Sequence, residues 1–258
     1  IIINKLILSN DNLIVEVDKV DFDYLDTENK KNQFLIQRKE KNNYELNGLK
    51  FNSNTLITSL LKGYDEKKNK VFKNNINLNL KLDKVYLDKI NFVKNLKGQL
   101  FIKDNKIVDM DISGVFANNQ NISFTISNDN KGSKITTLYS SKAKPLVSRY
   151  KFIKGFNEGY LDFYSSKKDG VSSSILKIYN FKLKELPALT KLLTLASLQG
   201  IADILTGEGI RFDEFEMNFK NKGNLMTINE IYAIGPAISV LMSGYVEQDK
   251  LISLKGTL

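Results

Sequence analysis

Ile76-Asn77-Leu78-Asn79-Leu80-Lys81-Leu82 alternates apolar and polar residues without a break. Successive side chains of a β-strand point to opposite faces. This stretch therefore predicts a strand with Ile76, Leu78, Leu80 and Leu82 on a dry face and Asn77, Asn79 and Lys81 in water. The same period recurs on both sides of it. Val108, Met110 and Ile112 alternate with Asp109 and Asp111, and Phe116 extends that face beyond Gly114. Ile122, Phe124 and Ile126 repeat the pattern, as do Phe215, Met217 and Phe219 against Glu214, Glu216 and Asn218. Near the start, Leu13, Val15 and Val17 lead towards Val20, Phe22 and Tyr24. Turn residues such as Asn118-Asn119 and Asn128-Asp129-Asn130 separate these runs. Short alternating runs between turns predict a mainly β protein built on an antiparallel sheet, with one face wet and the other dry.

Gly98-Gln99-Leu100, Gly159-Tyr160-Leu161 and Gly223-Asn224-Leu225 each read as the opening of a strand. Their even spacing suggests repeated multi-strand units. One segment breaks the strand rhythm. From Pro187 to about residue 206 the chain is apolar on most sides, and Leu189, Leu192, Leu193, Ala196 and Leu198 fall on helical faces. Pro187 suits a first helical turn, and Gly207 suits the position just past a helix end. Lys191, Gly200 and Asp203 interrupt the run, so it predicts a helix packed on a sheet rather than a transmembrane span. Both a fixed cover for the sheet and a lid or gate fit this pattern. The Gly207-Glu208-Gly209 run lacks the third glycine of a nucleotide loop and reads as a turn into a strand near Ile210.

At 258 residues the chain is long enough to bury a core. It opens on Ile1-Ile2-Ile3 and reads as one β-rich piece of a longer protein, with a soft division near 140–150. Cys, His and Trp are absent. That removes disulfides, thiol nucleophiles, His-based triads and the usual zinc sites. No cofactor or metal is expected. The net charge is +9, almost all of it from lysine, with Arg only at Arg38, Arg149 and Arg211. Nucleic-acid recognition favours the arginine fork, and these lysines are scattered among asparagines. They read as a solvated surface, with no nucleic-acid partner expected. The pairs Asp21/Asp23, Asp109/Asp111 and Glu214/Glu216 sit at strand spacing, about 7 Å apart. That separation would suit an inverting glycosidase. Each pair, however, alternates with large apolar residues and so belongs to the wet face, and no catalytic residue is expected.

Residues from about Gly159 to Leu258 carry a family likeness. Gly159-Tyr160-Leu161 is followed by Tyr164-Ser165-Ser166-Lys167-Lys168-Asp169-Gly170 and then Leu186-Pro187-Ala188-Leu189. Next come Leu195-Ala196-Ser197-Leu198-Gln199-Gly200-Ile201-Ala202-Asp203-Ile204-Leu205 and Thr206-Gly207-Glu208-Gly209-Ile210-Arg211-Phe212-Asp213. Ile234-Gly235-Pro236-Ala237, Ser243-Gly244 and Leu254-Lys255-Gly256-Thr257-Leu258 complete it. This region, 151–258 in domain terms, resembles the C-terminal region of AsmA-like proteins, the YhdP branch in particular. The resemblance implies an elongated, curved sheet forming a trough or groove. It further implies a periplasmic location, tethered to the inner membrane by an upstream segment, and conduction of phospholipid between inner and outer membrane without catalysis. On that reading Leu78, Leu80, Met110, Ile112, Phe124, Ile126, Phe215 and Met217 line a lipid groove, and Leu189, Leu192, Leu193, Ala196 and Leu198 belong to a lid or gate. The alternative is a structural or assembly domain of the envelope with a closed, packed core. A carbohydrate-active enzyme built on the carboxylate pairs stands far behind both.

Overall fold

A computed structural model describes residues 1–61, 70–149, 155–184, 207, 209–247 and 251–257. The protein is mainly β. The chain forms two compact units, Ile1–Asn128 and Asp129–Leu258. The helix expected over 187–206, with Leu189, Leu192, Leu193, Ala196 and Leu198, lies outside the described residues.

Unit 1 holds β1 (Ile2–Leu8), β2 (Ile14–Leu25), β3 (Lys31–Glu40), β4 (Asn43–Asn52), β5 (Ile76–Tyr86), β6 (Phe92–Lys103), β7 (Lys106–Val115) and β8 (Asn121–Asn128), with α1 (Asn54–Leu61) between β4 and β5. Its strands pair in chain order. Unit 2 holds β9 (Lys134–Ser140), the short helix α2 (Lys144–Val147), β10 (Phe156–Lys168), β11 (Val171–Leu183), β12 (Ile210–Lys222), β13 (Leu225–Ile234), β14 (Ser239–Glu247) and β15 (Leu251–Thr257). These also pair in chain order.

Local chemistry explains the hairpins. Asp104 and Asn105, both at positive φ, make the two-residue turn from β6 to β7. Asp169-Gly170, also both at positive φ, joins β10 to β11. Such turns match the twist of the strands they join, and Asn, Asp and Gly tolerate the left-handed backbone they need. A longer turn occurs in each unit. Asp26 Oδ1 accepts from the amides of Glu28 and Lys30, both at 2.9 Å, and Asp129 Oδ1 accepts from those of Lys131 at 2.8 Å and Ser133 at 2.7 Å. The left-handed residue of each turn is Asn29 or Gly132.

The first of these turns anchors a buried polar network. Asn32 is 1% exposed, and its amide nitrogen donates to Asp26 Oδ2 and to the Lys30 carbonyl, both at 3.1 Å. Asn32 Oδ1 accepts from the Asn52 amide at 2.8 Å, and the Asn52 side chain donates to Asp26 Oδ2 at 2.7 Å. Burial pushes the Asp26 carboxyl up. The Lys30 amide, the Asn52 and Asn32 side chains and the Glu28 amide together outweigh that and hold it below its ordinary value. A lowered native pKa contributes stability that is present above the unfolded-state value, about 4, and is lost as pH falls through the native value. Asp26→Asn is therefore expected to lose about 1–3 kcal/mol at pH 7. Denaturant titrations should show the gap between variant and parent closing below about pH 4.

Among the described strands β4–β5 departs from the antiparallel expectation and pairs in parallel, Leu46 with Leu80 and Gly48 with Leu82. A parallel step requires a crossover. α1 follows β4, and ahead of β5 Phe72 forms a parallel bridge with Ile14. The turn residue Asn105 holds this stretch: its Oδ1 accepts from the amides of Val71 at 2.8 Å and Phe72 at 2.7 Å, and its Nδ2 donates to the Phe72 carbonyl at 2.8 Å.

The glycines expected to open strands behave otherwise. Gly98 and Gly159 lie inside β6 and β10, and only Gly223 precedes a strand. A Cβ on Gly98 would stand 1.9 Å from the Asp111 carbonyl, so this position serves close strand approach. Phe116 does not extend β7. It lies past the strand end, 3% exposed, clustered with Leu87 and Val93. Gly207 and Gly209 are both at positive φ, and β12 begins at Ile210, as the turn reading expects.

Candidate functional site

Residues paired across neighbouring strands share a face, so the registers define rows. In unit 1 one row runs Val20–Ile36–Leu46–Leu80–Gly98–Ile112–Phe124. The next runs Tyr44–Leu78–Leu100–Met110–Ile126. The six unit 1 positions expected to line a groove thus occupy two adjacent rows of one face. On the other face the corresponding row reads Gln37–Glu45–Asn79–Gln99–Asp111–Thr125. Dry and wet faces are separated residue by residue.

Unit 2 repeats the arrangement. One row runs Leu138–Phe163–Leu176–Met217–Ile231–Met242 and its neighbour Leu161–Ile178–Phe215–Ala233–Val240. Phe215 and Met217 lie in these two rows. At one end of the face Phe156, Phe181 and Phe212 stack with centroids 5.2 Å apart at each step, and Phe215 meets Phe181 edge-on at 6.4 Å. Ala143 and Val147 close over this end, both buried in the same cluster. Further along, polar side chains intrude in a satisfied pair, where Ser174 Oγ donates to Ser165 Oγ at 2.8 Å.

Burial along the rows is uneven, and the unevenness is informative. Met110 and Ile126 are buried, at 5% and 8% exposed. Leu78, Leu80, Ile112 and Phe124 are only half-buried, as are Phe163, Leu176, Phe215, Met217 and Met242. In a closed sandwich, side chains from a second layer interdigitate with such rows and exclude water. Among the described residues no second sheet or long helix packs on either dry face.

Sequence reasoning placed Val20 in an alternating run but missed the continuation of the unit 1 row through Ile36 and Leu46, whose strands mix polar and apolar residues less regularly. It also missed an ion cluster beside that row. Arg38 pairs in register with Tyr44, and its guanidinium forks to Glu16 at 2.7 Å and Asp18 at 2.6 Å, with Lys5 3.5–3.6 Å from both acids. The cluster is neutral as a set and places its charges at the β1–β3 margin of an otherwise apolar surface.

The carboxylate pairs lie where the alternation puts them. Asp109 and Asp111 are exposed. Glu216 is half-buried and bonded to Lys177 at 2.7 Å. Hydrogen bonds from Lys177 and Asn218 hold the Glu216 carboxyl below its ordinary value, the opposite of what a general acid needs. The Lys177 ammonium is raised, chiefly by the same bond to Glu216. Among the described residues no group of three metal-binding side chains comes together, and no helix is long and apolar enough to cross a membrane. No protein-family model, no curated protein and no solved structure matches the chain.

Proposed function

We propose that the protein binds phospholipid acyl chains along its dry faces and serves as a segment of a periplasmic path for lipid between inner and outer membrane. The observation that carries this reading is the half-exposed apolar row from Val20 to Phe124, which no second layer covers among the described residues. A soluble sheet leaves such a face bare only at a free-energy cost, and an acyl chain removes that cost at about 0.8 kcal/mol per buried methylene. The contact is non-directional, so a chain can slide from Leu80 past Gly98 to Ile112 without breaking a strong bond. The resemblance of 159–258 to AsmA-like proteins points to the same ligand.

The test is positional. A photo-crosslinker at Leu80 or Ile112 is expected to label co-purifying phospholipid, and the same probe at Asn79 or Asp111 is expected to leave it unlabelled. Equal labelling on the two faces would overturn the proposal. Absence of any phospholipid by native mass spectrometry would favour a purely structural role in the envelope.

A further inference from the structure

The lysines that look scattered along the sequence are gathered by the registers. Lys50 pairs with Lys84, and Lys84 with Lys94, so three ammonium groups stand directly opposite one another across β4, β5 and β6. Lys81 pairs with Lys97 in a second row. Both rows lie on the wet face. Val93 packs with Leu96 in one buried cluster although they stand three positions apart, because Asn95 between them takes φ 51° and shifts the alternation by one. Their partners Val85 and Leu82 are likewise both buried. Lys81 and Lys84 are thereby left together on the opposite side.

Like charges directly opposite in a sheet are destabilising. Among the described residues no ion pair neutralises these. Glu45, the acid of β4, is bonded to Lys39, and Asp83, the acid of β5, makes no ion pair with the five among the described residues. Lys50, Lys81, Lys94 and Lys97 are exposed. Lys84 is half-buried, its ammonium 4.0 Å from the centre of the Phe92 ring and 4.8 Å from that of Tyr86.

We propose that this lysine ladder on β4–β6 is a docking surface for an anionic lipid bilayer. It lies on the face opposite the acyl-chain groove and does not depend on that groove being filled. A broad strand face carrying mobile point charges suits a diffuse, planar negative surface, to which each nearby lysine adds attraction. The ladder lacks the features that single-stranded nucleic acid uses. It holds no arginine fork, and its two nearby rings are already covered, Phe92 by Lys84 and Tyr86 by Lys84 and Lys30.

Sedimentation with vesicles of phosphatidylcholine, with and without phosphatidylglycerol, tests it. The chain is expected to bind only the anionic vesicles. The triple variant Lys50→Gln, Lys84→Gln, Lys94→Gln is expected to lose roughly 100-fold in affinity, about five-fold per lysine. A control with the same loss of charge, Lys131→Gln, Lys168→Gln, Lys222→Gln, is expected to keep most of its binding. The ladder variant should be at least as resistant to denaturant as its parent, because the repulsion is relieved, and its co-purified lipid should be unchanged by native mass spectrometry. Equal losses in the two triples would reduce the effect to net charge and overturn the proposal. So would unimpaired binding by the ladder variant, or preferential binding of a single-stranded oligonucleotide over anionic vesicles.

Discussion

Ile112→Asp and Phe124→Asp are each expected to fall at least roughly ten-fold in bound phospholipid, because a carboxylate in an apolar row cannot be solvated by acyl chains. Ile112 and Phe124 are direct cross-strand partners on β7 and β8, so either substitution puts a charge at the same point of the row. Half-exposure leaves the new carboxylate some access to water in the empty protein, which limits the damage to folding. The loss therefore falls on the occupied state. Gln99→Asp is the matched control, since Gln99 is exposed and lies on the wet face opposite Asp111. Native mass spectrometry of co-purified lipid, with urea titrations of all three variants, separates loss of ligand from loss of fold. If the two dry-face variants retain lipid as well as Gln99→Asp does, the groove reading fails.

The largest effect on stability is expected at Gly98. Its φ of 155° is disfavoured for a side chain, and the missing Cβ would stand 1.9 Å from the Asp111 carbonyl and 2.7 Å from the Ile112 Cα. Those are backbone atoms of the neighbouring strand and cannot swing aside. Gly98→Val is expected to cost at least about 3 kcal/mol, by forcing β6 and β7 apart. Gly132→Ala makes the comparison. It has a positive φ of 76° but nothing within 4 Å of its would-be Cβ, so only the conformational cost of about 1–2 kcal/mol applies. Equal midpoints for the two variants in denaturant would show that strand approach at Gly98 is not the constraint.

The same glycine marks where reading the sequence reached its limit. Alternation made the faces legible: Leu78, Leu80, Met110, Ile112, Phe124 and Ile126 share one surface because the period of two is unbroken over Leu78–Leu80, Met110–Ile112 and Phe124–Ile126. Partnership was not legible. Gly98 resembles a strand opener in sequence, and only the register shows it between Leu80 and Ile112, where a side chain would collide with β7. The parallel β4–β5 step was hidden because α1 is only eight residues long and the return past Phe72 pairs through a single bridge. The lysine ladder escaped for a related reason. Lys50 is far from Lys84 along the chain, and only the β4–β5 and β5–β6 registers bring Lys84 and Lys94 opposite one another beside it.

Pairing in chain order has a consequence for how such a protein changes size. Within each unit nearly every strand touches only its predecessor and successor, so the architecture is one-dimensional. Inserting one more hairpin widens the sheet by about 9–10 Å, twice the spacing between strands, and leaves every other pairing as it was. No distant contact has to be redesigned, and the two faces continue across the newcomer if its alternation is in phase. Span is therefore a quantity that duplication or deletion of single hairpins can tune in steps, with the chemistry of the surface held constant.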